Sequence, residues 1–434
     1  MEHVRLSIQS LAHGGDGVAH LPDGRTVFVP GTCPGDEVTI EVTVEHERWA
    51  RGSVLSLDQP SVDRVEPACP YFGVCGGCQW QHISYDRQLD AKIASLTENL
   101  KRIGRLDEPA VSPPVPSPSI YGYRNRIELS AAAGPRGTVF GFTRAGDTRV
   151  VPIETCHLLP ERARRLPKAL SGALRFVASR GALDIHRATL RVSAGGEISV
   201  DLWTAPGPFP RAAVARVVAE STRARTVTRV IFRGAIDKRD ISQVEVLSGP
   251  GAWSETLGGD RYLVSAPSFF QVNTAAAALL REQAVTLLAA DGSMRVADLY
   301  AGAGTFTLPM ARLAGETVAV EGSRWALGDL RRNLEHAELD ADVVPGDAAH
   351  ALGDLGHCDA ALIDPPRSGI SESAMRALIG ARIQRLVYVS CDPATLARDV
   401  QRLTAAGYSA TRFVPVDLFP QTYHLETVAL LELG

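Results

Sequence analysis

The first sixty residues alternate between apolar and polar positions in short runs, among them VRLSIQSL, TVFVP and EVTIEVTVE. Turns of the type Gly-Asp-Gly, Pro-Asp-Gly and Pro-Gly-Asp separate these runs. Short strands at regular spacing with such turns between them are typical of a small β-barrel. We therefore predict a barrel domain over residues 1–60.

Residues 61–250 follow a less regular pattern. A cysteine-rich segment leads into an amphipathic stretch that predicts a helix over 85–103, and the linker SPPVPSPS then breaks regular structure. Strand-like runs such as RIELSAAA, TLRVSA, EISVDLW and TRVIFRG follow, with helical pieces between them. This mixture predicts a central α+β domain.

Residues 251–434 alternate strand-like and helical runs: RVADLY precedes TFTLPMARL, and TVAVE precedes WALGDLRRNLEHA. Such alternation predicts a doubly wound parallel sheet, as in Rossmann-like folds. The end differs, because FVPVDLF and TVALLEL are joined by a loop without a helix, so we expect the last strand to run antiparallel. The whole chain is thus predicted to be a multidomain α/β protein, with the helix 85–103 packing on the last domain.

The composition fits an intracellular protein with large cores. The chain has 434 residues, of which 45% are hydrophobic and 22% charged, and no apolar run approaches the roughly 18 residues that a membrane span needs. The seven cysteines are an odd number and three lie close together, which in a reducing compartment favours metal binding and catalysis over disulfides. We expect a cytoplasmic location and no membrane association.

The net charge of −4 hides an uneven distribution. Residues 121–240 contain 21 Lys and Arg against 10 Asp and Glu, whereas the remainder contains 24 against 39. A basic middle segment fits contact with a polyanion, although a solvated Arg-rich surface would give the same count.

A glycine-rich loop follows the first strand of the last domain, in the segment Asp298-Leu-Tyr-Ala-Gly-Ala-Gly304. Gly302 and Gly304 allow a sharp turn close to a ligand. Thr307 stands where a nicotinamide-binding fingerprint would need a third glycine, and no lysine follows as in a phosphate-binding P-loop. Glu321 ends the next strand, where an acid can bind both ribose hydroxyls of an adenosine. This combination indicates S-adenosylmethionine.

Three reactive side chains are predicted to meet at the carboxyl edge of this sheet. Asp364 closes the strand DAALI and Cys391 closes LVYVS, while Glu426 begins the final antiparallel strand at the same edge. Open α/β sheets bind ligands at this edge. A lone cysteine is more often a buried packing residue, but its convergence with two carboxylates beside a methyl-donor pocket favours a nucleophile. Cys358 precedes its strand at the opposite edge and is interpreted as structural.

Four further cysteines have the spacing of a metal site: Cys69, Cys75, Cys78 and, far downstream, Cys156. Spacing alone allows either structural zinc or an iron–sulfur cluster.

Together, the motifs CGGCQWQH, YRNRIELS, FFQVN, DLYAGAGTFTLPMA, DPPRSG, YVSCDPATLARD and HLETVALL make the chain resemble the bacterial RNA uracil-C5 methyltransferases that carry an N-terminal TRAM domain. The resemblance covers nearly the whole chain and is greatest to the 23S rRNA branch. It implies that Cys391 adds to C6 of uracil, that Glu426 removes the C5 proton, and that Asp364 holds the uracil ring and also faces the cofactor.

The same resemblance implies which residues bind the ligands. The methyl donor would be lined by Gln271, Tyr300, Gly302, Gly304 and Glu321. The four spaced cysteines would hold a [4Fe–4S] cluster, and the barrel would bind RNA. One position departs from the pattern, since Thr305 stands where some relatives have Asn.

Two alternatives remain open for the function. The substrate could be the T-loop of tRNA, although tRNA enzymes of this kind typically lack the barrel and the cysteine cluster. The protein could instead be a non-catalytic RNA-binding or ribosome-assembly factor, against which the complete Cys391, Asp364 and Glu426 set argues.

We expect a monomer without an obligate protein partner, because the chain already has three domains.

Overall fold

The computed structural model describes residues 3–134, 137–179, 184–234 and 240–434. Its N-terminal sheet has six strands in the order β1-β5-β6-β4-β3-β2. The strands β1–β6 span His3–Ser7, Ser10–Leu11, Gly17–His20, Thr26–Val29, Glu37–Glu45 and Trp49–Gln59. The chain passes directly from β1 at one edge of this sheet to β2 at the other, so the sheet curls around a core of alternating residues such as Val27 and Ile40. The predicted β-barrel is confirmed.

Turns occupy the cysteine-rich segment that follows, and helix α1 then spans Tyr85–Arg102. Leu96 and Leu100 of this helix are fully buried and belong to the hydrophobic core of the C-terminal sheet. One turn earlier on the helix, Lys92 Nζ donates a 2.8 Å hydrogen bond to Asp417 Oδ1, and both side chains are completely buried. Helix α1 is therefore built into the C-terminal domain, although the barrel precedes it in the chain.

The Pro-rich linker after α1 does not form a named strand, but it follows an edge of the C-terminal sheet. Ser112 and Val115 donate backbone hydrogen bonds to the carbonyls of Phe413 and Pro415, at 2.8 Å each. Prolines leave the linker with few N–H donors, so it can cover an edge strand without offering a new edge for pairing.

The central domain contains a seven-stranded sheet in the order β13-β12-β11-β10-β7-β8-β9, flanked by two helices and a short 3-10 turn at Glu161–Ala163. The strands β7–β13 span Arg126–Gly134, Gly137–Thr143, Val150–Val151, Ile185–Val192, Ile198–Thr204, Thr226–Arg233 and Asp240–Ser248. The helices α2 and α3 span Leu166–Ser179 and Arg211–Thr222.

Several arginines of the basic middle segment form ion pairs within this sheet. Arg187 and Arg126 both contact Glu128, and Arg229 and Arg211 both contact Glu245. Part of the local excess of positive charge therefore stabilises the domain itself.

The C-terminal sheet has the strand order β18-β17-β16-β19-β20-β22-β21, with parallel pairing up to β20 and antiparallel pairing of β22 with both its neighbours. A hairpin of β14 (Ala252–Leu257) and β15 (Asp260–Ser265) precedes it. The strands β16–β22 span Arg295–Leu299, Glu316–Glu321, Asp342–Pro345, Ala360–Ile363, Arg385–Ser390, Tyr408–Val416 and Glu426–Leu433. The helices α4–α9 span Thr274–Leu288, Thr307–Leu313, Arg324–His336, Ala348–Asp354, Glu372–Ala381 and Pro393–Ala405. The predicted doubly wound sheet with an antiparallel final strand is confirmed.

Candidate active site

The loop between β16 and α5 has the backbone geometry of a ligand cradle. Tyr300, Gly302 and Gly304 all have positive φ, at 68°, 58° and 95°. A Cβ on Gly304 would lie 2.7 Å from Leu308 Cδ1, so this contact and the positive φ together favour glycine there. A Cβ on Gly302 would meet no atom within 4 Å, so this glycine faces open space. The loop is closed on its helix side and open on the other.

The Glu321 carboxylate fastens this loop to the neighbouring strand. Its two oxygens accept the backbone N–H groups of Gly302, at 2.8 Å, and Ser323, at 2.6 Å. Each carboxylate oxygen can accept more than one hydrogen bond, so Glu321 can hold the loop and still accept ligand hydroxyls. The loop and the predicted ribose-binding acid therefore form one unit.

Gln271 lies in the segment between β15 and α4 and is buried. This segment is held by the central domain, because Asn125 Nδ2 donates 2.8 Å to the Gln271 carbonyl and the Asn125 N–H donates to the Val272 carbonyl. The residue immediately before β7 thus fixes the position of Gln271 relative to the C-terminal sheet.

The sheet register brings Cys391 opposite Glu426. The pairing of β20 with β22 places Ser390, the last residue of β20, across from Thr427. Cys391, which follows β20, therefore lies beside Glu426, the first residue of β22. Asp364 directly follows the adjacent parallel strand β19, and its N–H donates 3.2 Å to the Leu299 carbonyl. Three side chains from distant parts of the sequence therefore meet at one edge, as the topology predicts.

Asp364 does not cap a helix. The next helix, α8, begins only at Glu372 and is capped by Ser371. A proline following an acid often marks a helix start, and here that pattern applies to Asp392 and Pro393 instead.

Burial dominates the electrostatics of this edge. It raises the pKa of Glu426 to about 8, and the negative charge of Asp364 adds to this shift. It likewise raises the pKa of Asp364 to about 7, with Asp298 adding to it. The pKa of the Cys391 thiol rises to about 12, through burial and then through the charge of Glu426, while Arg367 opposes the change. Burial therefore favours the protonated forms of Glu426 and Cys391 near neutral pH, whereas Asp364 lies close to its midpoint.

Sequence reasoning assigned no role to three polar side chains at this edge: Asp298, Arg367 and His424. Asp298 is completely buried, accepts a 2.5 Å hydrogen bond from Thr307 Oγ1, and has a pKa raised to about 7 by burial. The position of Asp298 near the carboxyl end of β16 was the sequence signal that could have indicated a role for it. Arg367 Nη2 lies 2.9 Å from His424 Nδ1, and the pKa of His424 is lowered to about 4 by burial and then by this guanidinium.

The four spaced cysteines, Cys69, Cys75, Cys78 and Cys156, line one cavity of about 890 Å³ between the barrel, the turns before α1 and the central sheet. Burial raises the pKa of Cys75 to about 11 and that of Cys78 to about 12. Within the described residues, no group of three or more His, Cys, Asp or Glu side chains has an arrangement that could hold a metal ion. The thiols share a cavity, and the cluster stays a prediction.

Comparison with known proteins agrees with both end domains. A family profile described as TRAM domain matches residues 2–55, and one described as tRNA (Uracil-5-)-methyltransferase matches residues 351–433. The chain is 32% identical over 444 residues to an uncharacterized RNA methyltransferase of Halalkalibacterium halodurans, covering 99% of this chain and 97% of that protein. It is 34% identical over 443 residues to one of Gloeobacter violaceus, with coverage of 99% and 96%.

A solved structure is similar over the full length. The tRNA (uracil-54, C5)-methyltransferase of Pyrococcus abyssi, in complex with S-adenosyl-L-homocysteine, superposes with a TM-score of 0.76 at 27% identity. The match covers 99% of this chain and 100% of the archaeal one. The chain belongs to the RNA uracil-C5 methyltransferase family.

As a member of this family, the protein is an S-adenosylmethionine-dependent enzyme that methylates RNA, and its N-terminal barrel is a TRAM domain. The methyltransferase contains, in the residues that the structure describes, no helix of the length and apolarity that a bilayer crossing requires. The alternative hypothesis of a non-catalytic RNA-binding factor is therefore wrong.

Proposed function

We propose that this methyltransferase acts through a covalent bond between Cys391 Sγ and C6 of the target uracil. The observation that carries the proposal is the register of β20 and β22, which sets Cys391 against Glu426 with Asp364 on the adjacent strand. C5 of uracil is a weak nucleophile. The Cys391 thiol would lose its proton to solvent, and addition of the resulting thiolate at C6 would push electrons toward O4 and make C5 reactive.

The glycine-rich loop fits an adenosine ligand, because Gly302 faces open space and Glu321 holds the loop while retaining acceptor capacity. We assign the methyl donor to a set of six residues: Gln271, Tyr300, Gly302, Gly304, Glu321 and Asp364. When bound, S-adenosylmethionine supplies an electrophilic methyl group. The positive φ of Tyr300 turns the chain at the start of this loop.

In its ionised form, Glu426 would act as the base after methyl transfer. It accepts the C5 proton, the electron pair of that C–H bond restores the C5–C6 double bond, and the Cys391 thiolate leaves C6. A pKa raised to about 8 makes the carboxylate a stronger base than an ordinary glutamate. Asp364 would hold the ring through its N–H or its O4 side.

Large-subunit ribosomal RNA, the 23S rRNA, is the first candidate substrate, since the motifs resemble that branch of the family. The archaeal tRNA enzyme, however, matches this chain from end to end. A full three-domain architecture therefore does not by itself exclude tRNA, which stays the second candidate. In either RNA the uridine must leave its stack to reach the sheet edge.

The cysteine cavity would hold a [4Fe–4S] cluster. Four thiols of suitable donor chemistry line it, and the Gly77 N–H donates 3.4 Å to Cys75 Sγ, the kind of contact that supports a sulfur ligand. Its role would be structural, because the cavity also contacts the barrel and the first strands of the central sheet. Zinc is the alternative that spacing allows.

The test uses purified protein, S-adenosylmethionine with a labelled methyl group, and unmodified 23S rRNA or tRNA. Nucleosides are then resolved by mass. We expect label as 5-methyluridine in 23S rRNA. Label in tRNA alone would keep the chemistry and overturn the preferred substrate, and label on an atom other than C5 would overturn the proposed mechanism.

A further inference from the structure

The TRAM domain places one histidine against the catalytic sheet edge. His13 lies in the turn between β2 and β3, and its Nε2 atom is 3.6 Å from Asp392 Oδ2. The same ring meets the Tyr423 ring edge-on, with 5.4 Å between centroids. His13 thus touches two separate segments of the catalytic domain.

Both contacted segments lead directly to a proposed catalytic residue. Asp392 follows Cys391 and caps α9, accepting a 2.8 Å hydrogen bond from the Thr395 N–H. Tyr423 packs on the His424 ring at 4.2 Å, two residues before Glu426. His13 therefore bridges the turn after the nucleophile and the segment before the base.

The turn that carries His13 is anchored rather than loose. Trp80 is buried, and its Nε1 atom donates 3.1 Å to the Gly15 carbonyl. The backbone N–H groups of Gln79 and Trp80 both donate 3.0 Å to the Gln421 carbonyl, which lies in the Tyr423 segment. The cysteine-rich segment thus ties the TRAM turn and the catalytic loop together from a second side.

The contact with His13 also affects Asp392. The nearby His13 ring is the main reason why the pKa of Asp392 is held below its ordinary range, ahead of the helix-capping contacts with Thr395. A cap carboxylate that is also bound from outside the helix has less freedom to rotate, and the turn containing Cys391 shares this restraint.

We propose that His13 is a positioning residue for Cys391, through which the TRAM domain completes the active site. The proposal rests on the covalent mechanism proposed above. It assigns to the TRAM domain a role in the chemical step that is separate from RNA binding, because His13 contacts Asp392 and Tyr423 rather than standing apart from the sheet edge.

The test measures covalent trapping of RNA that contains 5-fluorouridine. Once methylated, such a base has fluorine in place of the C5 proton, so the Cys391 adduct cannot resolve. We compare wild type with His13→Ala, Asp392→Asn and the double variant, following adduct formation, RNA affinity and S-adenosylmethionine affinity. Asn retains helix-capping ability at position 392. His20→Ala is the matched control, since His20 is another TRAM histidine, bonded to Gln9 within the barrel.

We expect His13→Ala to slow trapping about two- to fivefold, as suits a partly exposed ion pair, with both affinities within about twofold of wild type. The double variant should be no slower than the slower single variant, because the two residues act through one contact. His13→Gln, which can still donate to Asp392, should recover most of the rate, and His20→Ala should match wild type.

Additive effects of the two single variants would overturn the inference, and so would a His13→Ala defect that lies wholly in RNA affinity. Normal trapping by wild type together with unchanged trapping by His13→Ala would overturn this inference alone. A wild type that methylates RNA but forms no adduct would overturn the covalent mechanism and the inference with it.

Discussion

Cys391 and the four cavity cysteines are positioned in different ways. Cys391 directly follows β20, whose residues are almost all buried, and the pairing of Ser390 with Thr427 fixes the backbone beside it. Cys69, Cys75, Cys78 and Cys156 lie outside the named strands, and the backbone pairing recorded among them is one isolated bridge from Cys75 to Arg144. The first thiol has its place before any ligand binds, whereas the four others would depend on the proposed cluster to bring them into coordination geometry. Backbone pairing at a sheet edge thus fixes a reactive side chain in the free protein, whereas side chains in loops would be ordered by the ligand that they bind.

The largest expected effect comes from alanine variants of two thiols of the C-terminal domain, the partly exposed Cys391 and the buried Cys358. Cys391→Ala should lower methylation by at least about a thousandfold and abolish trapping with 5-fluorouridine RNA, because no other group can add to C6. Cys358→Ala is the matched control. Cys358 is buried at the opposite end of β19, where its sulfur lies 3.5 Å from Arg295 Nη1.

Cys358→Ala should retain near wild-type turnover and lose only packing stability, on the order of 1 kcal/mol. Measured methyl incorporation and denaturing gels of the RNA adduct distinguish the two variants. Trapping that persists in Cys391→Ala would show that the sheet edge does not carry the nucleophile.

Glu426→Gln should separate the two halves of the proposed reaction. Addition to C6 and methyl transfer do not need the base, but removal of the C5 proton does, so turnover should fall by about a hundredfold or more. The protein–RNA adduct should then accumulate with ordinary uridine, as seen on a denaturing gel. The same loss of turnover without any adduct would assign Glu426 to an earlier step.

Cys78→Ser tests the region that depends on its ligand. Loss of one thiolate should remove the visible absorbance of anaerobically purified protein and weaken RNA affinity by roughly tenfold, since the cavity joins the TRAM domain to the central sheet. S-adenosylmethionine affinity should stay within about twofold, because the glycine-rich loop is held by Glu321 and not by the cavity. Stoichiometric zinc and no visible absorbance in the wild type would replace the proposed cluster.

The residues that sequence reasoning brought together were those placed by sheet topology. Once β19, β20 and the antiparallel β22 are predicted, the carboxyl edge must contain Asp364, Cys391 and Glu426. Glycine spacing likewise indicated the loop at Gly302 and Gly304. Strand periodicity and strand direction are local properties, so they can be derived from one sequence.

Contacts between domains could not be derived in this way. No periodic pattern indicates that Lys92 of α1 pairs with Asp417, or that His13 reaches Asp392 across more than 300 positions of the chain. Such contacts depend on how finished domains pack, and each partner alone resembles an ordinary surface residue in the sequence. The arrangement of the four spaced cysteines could not be derived for a related reason, because the cluster proposed to order them is not part of the sequence.

The smallest expected effect concerns stability. Burial raises the pKa of Glu426 to about 8 and that of Asp364 to about 7, so the folded state binds protons that the unfolded state releases above about pH 4 to 5. Their contribution to stability is therefore fully present at low pH and is lost as pH rises through 7 to 8. Glu426→Gln removes one of these two titrating groups and therefore its part of the pH dependence of stability.

We expect the free energy of unfolding, measured by urea titration, to fall between pH 5.5 and pH 8 by more in wild type than in Glu426→Gln. The difference should be about 1 kcal/mol, the size of a one-unit pKa difference. Glu372→Gln is the control, because Glu372 is exposed and pairs with Arg376 one turn along its own helix. Equal pH dependence in all three proteins would mean that the Glu426 carboxyl is solvated in solution. A smaller pH dependence in Glu426→Gln alone would show that the buried Glu426 carboxyl lowers the stability of the folded protein as it ionises. The fixed geometry of the sheet edge would then have a cost in free energy of unfolding.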